Sequence, residues 1–303
     1  MGEDAVAHKN ILHMLTPLPN ISPFDVNMAL DAGYDAVVPY TSVGLGNVAG
    51  LVQDAIFSRP PSRGARTGVF IGGKDAILAL DMLEAAKNAQ TPPFGVSLFA
   101  DPAGSFTTAA AMMASVEKML KTRHGRGLKE LSLLVFGATG VVGFSAAVIA
   151  ALEGARATLV GYDGLERVKN SAAQIQARFG VEVQVADGSS DDKKSALVKE
   201  AQAIVCAGRA GVRVLTSAQI AAATDLLVAA DANAVPPSGI EGLDPFAMGA
   251  PIGASSALGI GPLALGDTKY KTESGLFQRM IAATKVVCFD FRDAFALARE
   301  FHA

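Results

Sequence analysis

Three glycines, spaced three residues apart, constrain the fold of this chain more than any other feature. Gly137, Gly140 and Gly143 follow the apolar run from Leu131 to Phe136 and open an Ala-, Val- and Ile-rich stretch that ends at Gly154. This order predicts a buried strand, a tight turn and a helix. Glycine lets the backbone approach an anionic group closely, and the N-terminus of a helix attracts negative charge. The segment therefore predicts the pyrophosphate site of a dinucleotide.

The strand that follows this helix indicates which dinucleotide binds. Thr139 takes the place of the usual second glycine of such turns, and the strand Thr158–Gly161 ends just before Asp163. An acid at that place accepts hydrogen bonds from the ribose hydroxyls and disfavours a 2′-phosphate, which favours NAD. Arg167 follows on the next turn and is able to neutralise a 2′-phosphate, so NADP stays open. The predicted cofactor-binding residues are Gly137, Ala138, Thr139, Gly140, Val141, Val142, Asp163, Arg167, Ala207, Gly208, Asp231 and Asn233.

The length of 303 residues and the repeated strand-to-helix order predict an α/β protein with two domains. We expect an N-terminal α/β substrate domain and a Rossmann-type cofactor domain with a doubly wound parallel sheet. The predicted division is a flexible tail at residues 1–9, a substrate domain at 10–124 and 275–303, and an NAD(P)-binding domain at 125–274.

The strands of the first third are predicted at Ile11–Leu15, Ala36–Tyr40, Thr67–Ile71 and Val96–Ala100. Ligands of parallel sheets bind beyond the carboxyl ends of the strands, so the loops at Thr16, Tyr40, Lys74 and Asp101 are expected on one face. In the cofactor domain, strands are predicted near residues 131, 158, 181, 203 and 226. The Gly- and Pro-rich stretch 231–266 predicts loops, and 276–301 is expected to include an apolar helix.

Composition excludes several classes of protein. Half of the residues are apolar, which suffices for a core in each domain, and a net charge of -3 offers no general attraction for nucleic acid. No apolar run reaches the roughly 20 residues that span a bilayer, and the polar start differs from a signal peptide. We therefore expect a cytoplasmic protein with no membrane or nucleic-acid partner. Cys206 and Cys288 lie in apolar, strand-like runs, which predicts buried free thiols.

The side chains that commonly act as catalytic bases are poorly placed in this sequence. The histidines His8, His13, His124 and His302 follow no pattern of a metal site or catalytic base, and no tyrosine has a lysine four residues later. Oxidation of an alcohol therefore lacks an evident base, and we expect no metal. A carbon held between two amine nitrogens fits better, because it loses hydride to give a delocalised cation without losing a proton. Orientation and a field that tolerates positive charge then suffice.

Long strings in both halves of the chain resemble one family, the methylene-tetrahydromethanopterin dehydrogenases of methylotrophic bacteria, especially their NAD(P)-dependent type. The resemblance extends from about residue 10 to the C-terminus. The matching strings are residues 11–17 (ILHMLTP), 22–29 (SPFDVNMA), 70–74 (FIGGK), 99–108 (FADPAGSFTT), 231–237 (DANAVPP) and 258–261 (LGIG). The NADP-only relatives carry a basic residue right after the second cofactor strand, where this chain has Tyr162 and Asp163. This difference favours NAD or dual use.

The resemblance implies a two-domain dehydrogenase that forms homo-oligomers, trimers or hexamers, and moves hydride from methylene-tetrahydromethanopterin to NAD(P). Asp101 is the leading candidate for contact with the pterin, since a carboxylate accepts paired hydrogen bonds from an amino-pyrimidine edge. Lys74 is the second substrate-orienting candidate, and no obligatory protein base is expected. The predicted substrate-binding residues are Thr16, Tyr40, Thr41, Ser105, Phe106, Thr107, Thr108, Gly259 and Ile260. A methylenetetrahydrofolate dehydrogenase and a dinucleotide-binding redox sensor remain alternatives.

Overall fold

Two mainly parallel β-sheets organise the chain, each within its own compact unit of backbone. The structure is a computed structural model that describes residues 9–302. One unit contains the described residues up to Gly104 together with Lys271–Ala294, and the other contains Ser105–Tyr270 with the described residues from Phe295 on. Residues 1–8 of the tail predicted at 1–9, and His8 with them, lie outside the described range.

The strands predicted for the first third are confirmed, three of them with the predicted bounds. The strands are β1 (Ile11–Leu15), β2 (Ala36–Tyr40), β3 (Thr67–Ile71), β4 (Ser97–Ala100), β5 (Ser132–Phe136), β6 (Arg156–Gly161), β7 (Gln184–Asp187), β8 (Ala203–Cys206), β9 (Val228–Asp231), β10 (Met248–Pro251), β11 (Leu258–Ile260) and β12 (Cys288–Phe289). The helices are α1 (Pro23–Asp31), α2 (Leu45–Phe57), α3 (Ala76–Asn88), α4 (Ser105–His124), α5 (Val141–Leu152), α6 (Glu166–Phe179), α7 (Asp191–Lys199), α8 (Ser217–Ala221), α9 (Pro262–Ala282) and α10 (Phe291–Glu300).

Each sheet reverses its strand order at one point, and this point is where α/β proteins bind ligands. The first sheet has the order β12-β4-β3-β1-β2, so β2 and β3 lie on opposite sides of β1. The second has the order β10-β11-β9-β8-β5-β6-β7, so β6 and β8 lie on opposite sides of β5. All strand pairs are parallel except β10 with β11. The fold predicts one crevice beyond β1 and β3 and another beyond β5 and β8.

Apolar packing fixes both sheets. In the first unit, β3 is buried along its whole length, and the rings of Phe70, Phe99 and Phe277 pack with centroids 5.3–5.5 Å apart. In the second unit, α4 packs against α5, and α5 is buried over most of its length because its side chains are small and apolar. Rings and small side chains of this kind exclude water from the sheet faces and hold the strand ends in place.

Three predictions for the C-terminal third and the cysteines need correction. The stretch 231–266 contains β10 and β11, because strand pairing at the edge of the sheet outweighs its Gly- and Pro-rich composition. The stretch 276–301 holds the end of α9, the short strand β12 and α10. Cys206 is buried as predicted, whereas Cys288 is exposed because β12 is a two-residue strand at the sheet edge.

The compact units and the predicted domains divide the chain at different residues. Residues 105–124 and 295–302 group with the second unit, although they were predicted in the substrate domain. The units are defined by backbone compactness and the predicted domains by ligand, so the assignment of each ligand to a unit stays a prediction. Within residues 9–302, no helix is long and apolar enough to cross a membrane.

Candidate active site

The turn between β5 and α5 forms a cradle of open backbone, which we call the cofactor cradle (residues 137–143). Gly137 has a φ of +75°, and a Cβ atom on it would overlap the carbonyl group of Ala207. A Cβ atom on Gly143 would overlap the carbonyl oxygen of Gly137. Any other residue at these two positions would push β5, α5 and the loop after β8 apart. The glycines are therefore required by close backbone packing at the reversal point of the sheet.

The start of α5 presents unpaired amides to this cradle. Gly140 is the N-cap residue, with extended backbone angles of -83° and 164° for φ and ψ, and glycine has no side chain to cap the helix. The first amides of a helix lack partners within the helix, and the helix dipole adds positive potential there. Thr139 and Gly140 are exposed, whereas Ala138 is buried beneath them. The cradle fits the pyrophosphate of a dinucleotide, which supplies negative charge to bare amides.

Arg167 connects the cofactor cradle to the loop after β6. Its guanidinium donates to the Oγ1 of Thr139 at 3.3 Å, to the hydroxyl of Tyr162 at 2.7 Å and to the Oδ2 of Asp163 at 3.3 Å. The side chains of Arg167 and Asp163 are 52% and 41% exposed, so both are open to a ligand. The predicted ribose-binding acid and the predicted phosphate-neutralising arginine thus lie in one hydrogen-bonded group.

The side chains of Asp231 and Asn233 hold the loop after β9 in place through hydrogen bonds to backbone groups. Asp231 is fully buried, and its carboxylate accepts the N–H groups of Asn233 at 2.9 Å and Ile240 at 3.1 Å. Burial raises the pKa of Asp231, although these N–H donors act in the opposite direction. The Oδ1 of Asn233 accepts the N–H of Gly211 at 3.2 Å, and its Nδ2 donates to the carbonyl of Pro237 at 2.9 Å. The two side chains hold the loops after β8 and β9 together, and direct contact with a cofactor stays a prediction for both.

A cavity of about 420 Å³ lies beyond the carboxyl ends of β1 and β3, at the reversal point of the first sheet; we call it the first cavity. This volume is in the range of small-molecule sites. Thr16 is buried in its wall, and its Oγ1 accepts the N–H of Leu18 at 3.2 Å. Lys74 is exposed and lies at the end of the Gly72–Gly73 turn. The lining residues are Thr16, Leu18, Pro19, Asn20, Ile21, Ser22, Asp25, Gly72, Gly73, Lys74 and Ala103.

Tyr40 and Thr41 line a separate cavity of about 550 Å³ between β2 and α2, which we call the second cavity. The hydroxyl of Tyr40 lies 3.2 Å from the Nδ1 of His13. Burial, and then the charge of Arg59, lowers the pKa of His13, so this ring is neutral at pH 7. The structure therefore brings Thr16 and Lys74 together and places Tyr40 and Thr41 at another cavity.

The remaining predicted substrate residues lie in packed positions. Asp101 is fully buried after β4, with its N–H donated to the carbonyl of Ile71 at 3.1 Å, and it is not among the residues that line the first cavity. Phe106 and Thr107 are fully buried at the start of α4, where Ser105 and Thr108 are half-buried. Phe106 was predicted to bind the substrate, but its ring has no exposed area.

Gly259 and Ile260 were predicted in a loop, and this is wrong, because both belong to strand β11. A Cβ atom on Gly259 would overlap the side chain of Leu243, so this glycine is explained by packing against its own sheet. Their contact with substrate stays a prediction. Within residues 9–302, no group of three or more His, Cys, Asp or Glu side chains is placed to hold a metal ion.

Sequence reasoning missed Asp25 and the loop from Leu18 to Ser22 as parts of the cavity wall. The signal that was available is the position of this loop directly after β1, the strand on which the first sheet reverses its order. Asp25 falls within the matching string 22–29 but was not predicted as a site residue. It lies in the first turn of α1, so a role at the helix start accounts for it locally.

These features define a class of protein, the two-unit α/β enzymes in which one parallel sheet carries a dinucleotide cradle. Solved structures share this fold at low identity. A malic enzyme from Thermotoga maritima aligns over 96% of this chain and 84% of its own, with a TM-score of 0.61 and 11% identity. Shikimate 5-dehydrogenase from Listeria monocytogenes aligns over 92% and 95%, with a TM-score of 0.52 and 13% identity. They support the fold class alone.

Sequence comparison identifies the family. The profile described as "Methylene-tetrahydromethanopterin dehydrogenase, N-terminal" matches residues 23–103. A protein of Methylorubrum extorquens named "NAD(P)-dependent methylenetetrahydromethanopterin dehydrogenase" is 52% identical over 292 residues, which cover 96% of this chain and 98% of that protein. The chain belongs to the methylene-tetrahydromethanopterin dehydrogenase family, and the resemblance seen in the sequence is confirmed.

Proposed function

We propose that this chain oxidises methylene-tetrahydromethanopterin to its methenyl form in one-carbon oxidation, with NAD or NADP as the hydride acceptor. The observation that carries the proposal is the 52% identity to a relative of that name over nearly the full length of both chains. Such coverage includes both reversal points, so the cradle and the first cavity lie within the shared sequence. The cradle supports the dinucleotide part independently of that name.

The chain's own residues hold the ligands. The amides of Ala138, Thr139, Val141 and Val142 would hold the pyrophosphate, and Asp163 would accept hydrogen bonds from the adenosine ribose. The bound dinucleotide supplies a nicotinamide ring that accepts a hydride. In the first unit, Asp101, Lys74 and Thr16 would orient the pterin. The carbon that loses hydride lies between two nitrogens, so the cation that results is itself the product and no side chain has to remove a proton.

The proposal also includes the setting in which the chain works. We infer a cytoplasmic homo-oligomer, a trimer or hexamer as the family implies, that acts without nucleic acid. The net charge of -3 supports the last point, because it offers no general attraction to a polyanion.

Steady-state rates with each reduced pterin and each dinucleotide test this function. We expect turnover with methylene-tetrahydromethanopterin to exceed turnover with methylene-tetrahydrofolate, and activity with both NAD and NADP. A higher kcat/KM with the folate would assign the chain to the folate reaction. Tight dinucleotide binding without turnover of either pterin would contradict the proposal and favour a redox sensor.

A further inference from the structure

The loops at the carboxyl ends of β5 to β9 carry two cationic side chains, and only one of the two is paired. These loops are residues 137–140, 162–165, 188–190, 207–216 and 232–247. Their lysine and arginine residues are Arg209 and Arg213. The guanidinium of Arg213 forms an ion pair of 2.7 Å with Glu241. Arg209 is exposed, and its side chain has no hydrogen bond or ion pair within residues 9–302, so it is available to an anion.

Backbone hydrogen bonds fix the loop that carries Arg209. Ala207 donates its N–H to a carbonyl of β5 at 2.9 Å, and Gly211 donates to the Oδ1 of Asn233 at 3.2 Å. The N–H of Val212 binds the carbonyl of Arg209 at 3.1 Å, which closes a tight turn between them. The backbone at Arg209 is thus positioned before a ligand arrives, and binding has to order one side chain rather than a loop.

The same loop lies against the cofactor cradle. A Cβ atom placed on Gly137 would lie 2.1 Å from the carbonyl oxygen of Ala207 and 2.7 Å from the amide nitrogen of Gly208. Arg209 is the next residue, and consecutive Cα atoms are about 3.8 Å apart. An arginine side chain is long enough to span this separation. Its guanidinium is therefore within reach of an anion bound in the cradle.

The strand order shows which half of a dinucleotide would lie beside Arg209. β6 and β8 lie on opposite sides of β5, and the candidates for the adenosine ribose, Asp163 and Arg167, follow β6. A dinucleotide binds across the reversal point of such a sheet, so its nicotinamide half extends toward β8 and β9. Arg209 follows β8 and is thus on the nicotinamide side of the cradle.

We propose that Arg209 binds the phosphate nearer the nicotinamide, an inference that rests on the dinucleotide part of the proposed function. The guanidinium presents parallel N–H donors that match two oxygens of one phosphate. A pyrophosphate carries about two negative charges, whereas a helix N-terminus supplies roughly half a positive charge. Arg209 adds a full positive charge. NAD and NADP share this phosphate, so Arg209 serves both dinucleotides, whereas Arg167 lies where the two differ.

Calorimetric titration of the full chain with NAD, NADP, ADP-ribose and AMP tests this inference without turnover. Arg209→Ala should raise the Kd for the first three by about tenfold, which is 1.4 kcal/mol. The Kd for AMP should stay as in the wild type, because AMP lacks the phosphate nearer the nicotinamide. Arg209→Lys keeps the charge but loses the paired donors, so a smaller rise of about threefold is expected. The matched control is Arg213→Ala, a paired arginine of the same loop, which should leave all four Kd values unchanged.

Four other outcomes overturn the inference. A wild-type Kd for NAD and NADP in Arg209→Ala shows that this arginine does not bind the dinucleotide. An equal loss for AMP places it on the adenosine side, and a loss confined to NADP assigns it to the 2′-phosphate. Equal losses in Arg209→Ala and Arg213→Ala assign the effect to the general positive charge of the loop. If the wild type binds neither dinucleotide, the proposed function fails together with the inference, whereas in the four other cases wild-type binding leaves that function standing.

Discussion

Arg167 sets the charge seen by the adenosine ribose. Its hydrogen bond to Asp163 partly neutralises the acid that favours NAD, while Thr139 and Tyr162 hold the guanidinium over the edge of the cradle. The Cζ atom lies 5.4 Å from the centre of the Tyr162 ring, which adds a weak attraction. Asp163 is ready to accept from a 2′-hydroxyl, and Arg167 is ready to donate to a 2′-phosphate. This pairing supports use of both dinucleotides.

Substitution of Asp163 and substitution of Arg167 should shift the preference between NAD and NADP in opposite directions. Asp163→Ala removes the ribose acceptor and releases Arg167, so the KM for NAD should rise about tenfold while that for NADP stays or falls. Arg167→Ala removes the phosphate donor and leaves the carboxylate of Asp163 without its ion-pair partner, so the KM for NADP should rise about tenfold with little change for NAD. Steady-state kinetics with both dinucleotides at saturating pterin measure the two ratios.

Arg178→Ala is the control for this pair. Arg178 lies on the same helix α6 and donates to Gln174 at 3.0 Å, away from the cradle, so the ratio of NAD to NADP should not change. If Asp163→Ala and Arg167→Ala move the ratio in the same direction, the ribose does not lie between these side chains.

Individual site residues were predictable where a local motif required them. Gly137 and Asp163 were named from the strand, turn and helix order, because that segment is defined by local sequence around one turn; their contact with the dinucleotide stays a prediction. Asp25 was missed because its place in a helix start explains it locally, whereas its place in the first cavity depends on β1 lying beside β3. Phe106 shows the converse: it follows a polar turn in the sequence, but tertiary packing buries it.

At the scale of elements, Arg299 holds the C-terminal part of helix α10 against α4 and the end of α5, within the second unit. The guanidinium binds Glu117 of α4 with two hydrogen bonds of 2.7 and 2.8 Å, and Glu153, next to α5, at 3.1 and 2.5 Å. The carboxylate of Glu117 is only 7% exposed. Removing the arginine would leave that carboxylate buried with Lys121 as its remaining cationic partner. Loss of the arginine should therefore lower the free energy of unfolding, because it leaves a buried carboxylate with a partner missing.

Arg299→Ala should therefore destabilise the chain by about 2–4 kcal/mol at pH 7, less than for a fully buried pair because the arginine is one third exposed. Urea unfolding followed by circular dichroism measures this change. The control is Lys87→Ala on helix α3, whose pair with Glu84 is exposed on both sides, and about 1 kcal/mol or less is expected. Equal losses for both variants would contradict a special role for Arg299.

The effect of Arg299 should also depend on pH. Burial acts to raise the pKa of Glu117, but hydrogen bonds from Arg299 and Lys121 outweigh it and the pKa lies below the ordinary value. A lowered pKa in the folded state adds stability above the unfolded value, and this stability disappears as the pH falls through the folded value. The difference between the wild type and Arg299→Ala should thus shrink below about pH 4. A constant difference down to pH 3 would assign the loss to packing of the arginine on Phe295.

The elements themselves were predictable to different degrees. Strands β1, β2 and β3 were predicted with their observed bounds, because apolar runs bounded by Gly, Pro and polar residues mark buried parallel strands. Strands β10 and β11 were missed. Their residues, such as Gly249 and Pro251, have low strand propensity, and they pair only because β9 offers a free edge in the folded sheet.

At the scale of the whole molecule, the two sheets repeat one design. Each reverses its strand order beside its first strand, and each has its candidate ligand site at that point: the first cavity in one unit and the cofactor cradle in the other. One chain thus offers a candidate site for each of the two ligands of the proposed hydride transfer. The compact units divide the chain at other residues than the predicted domains, since α4 follows the loop after β4 in sequence but packs with α5 in space.

Amide hydrogen exchange of the whole chain tests which unit holds which ligand. NAD should slow exchange in the cofactor cradle and in residues 207–211, because bound ligand suppresses local opening of the amides it contacts. The reduced pterin should slow exchange in residues 16–25 and 72–74, around the first cavity. Residues 184–199, which contain β7 and α7 at the far edge of the second sheet, serve as the region without change. If the pterin protects residues 40–51 and not 16–25, the substrate binds in the second cavity. If NAD and the pterin both protect residues of one unit alone, the assignment of one ligand to each sheet is contradicted.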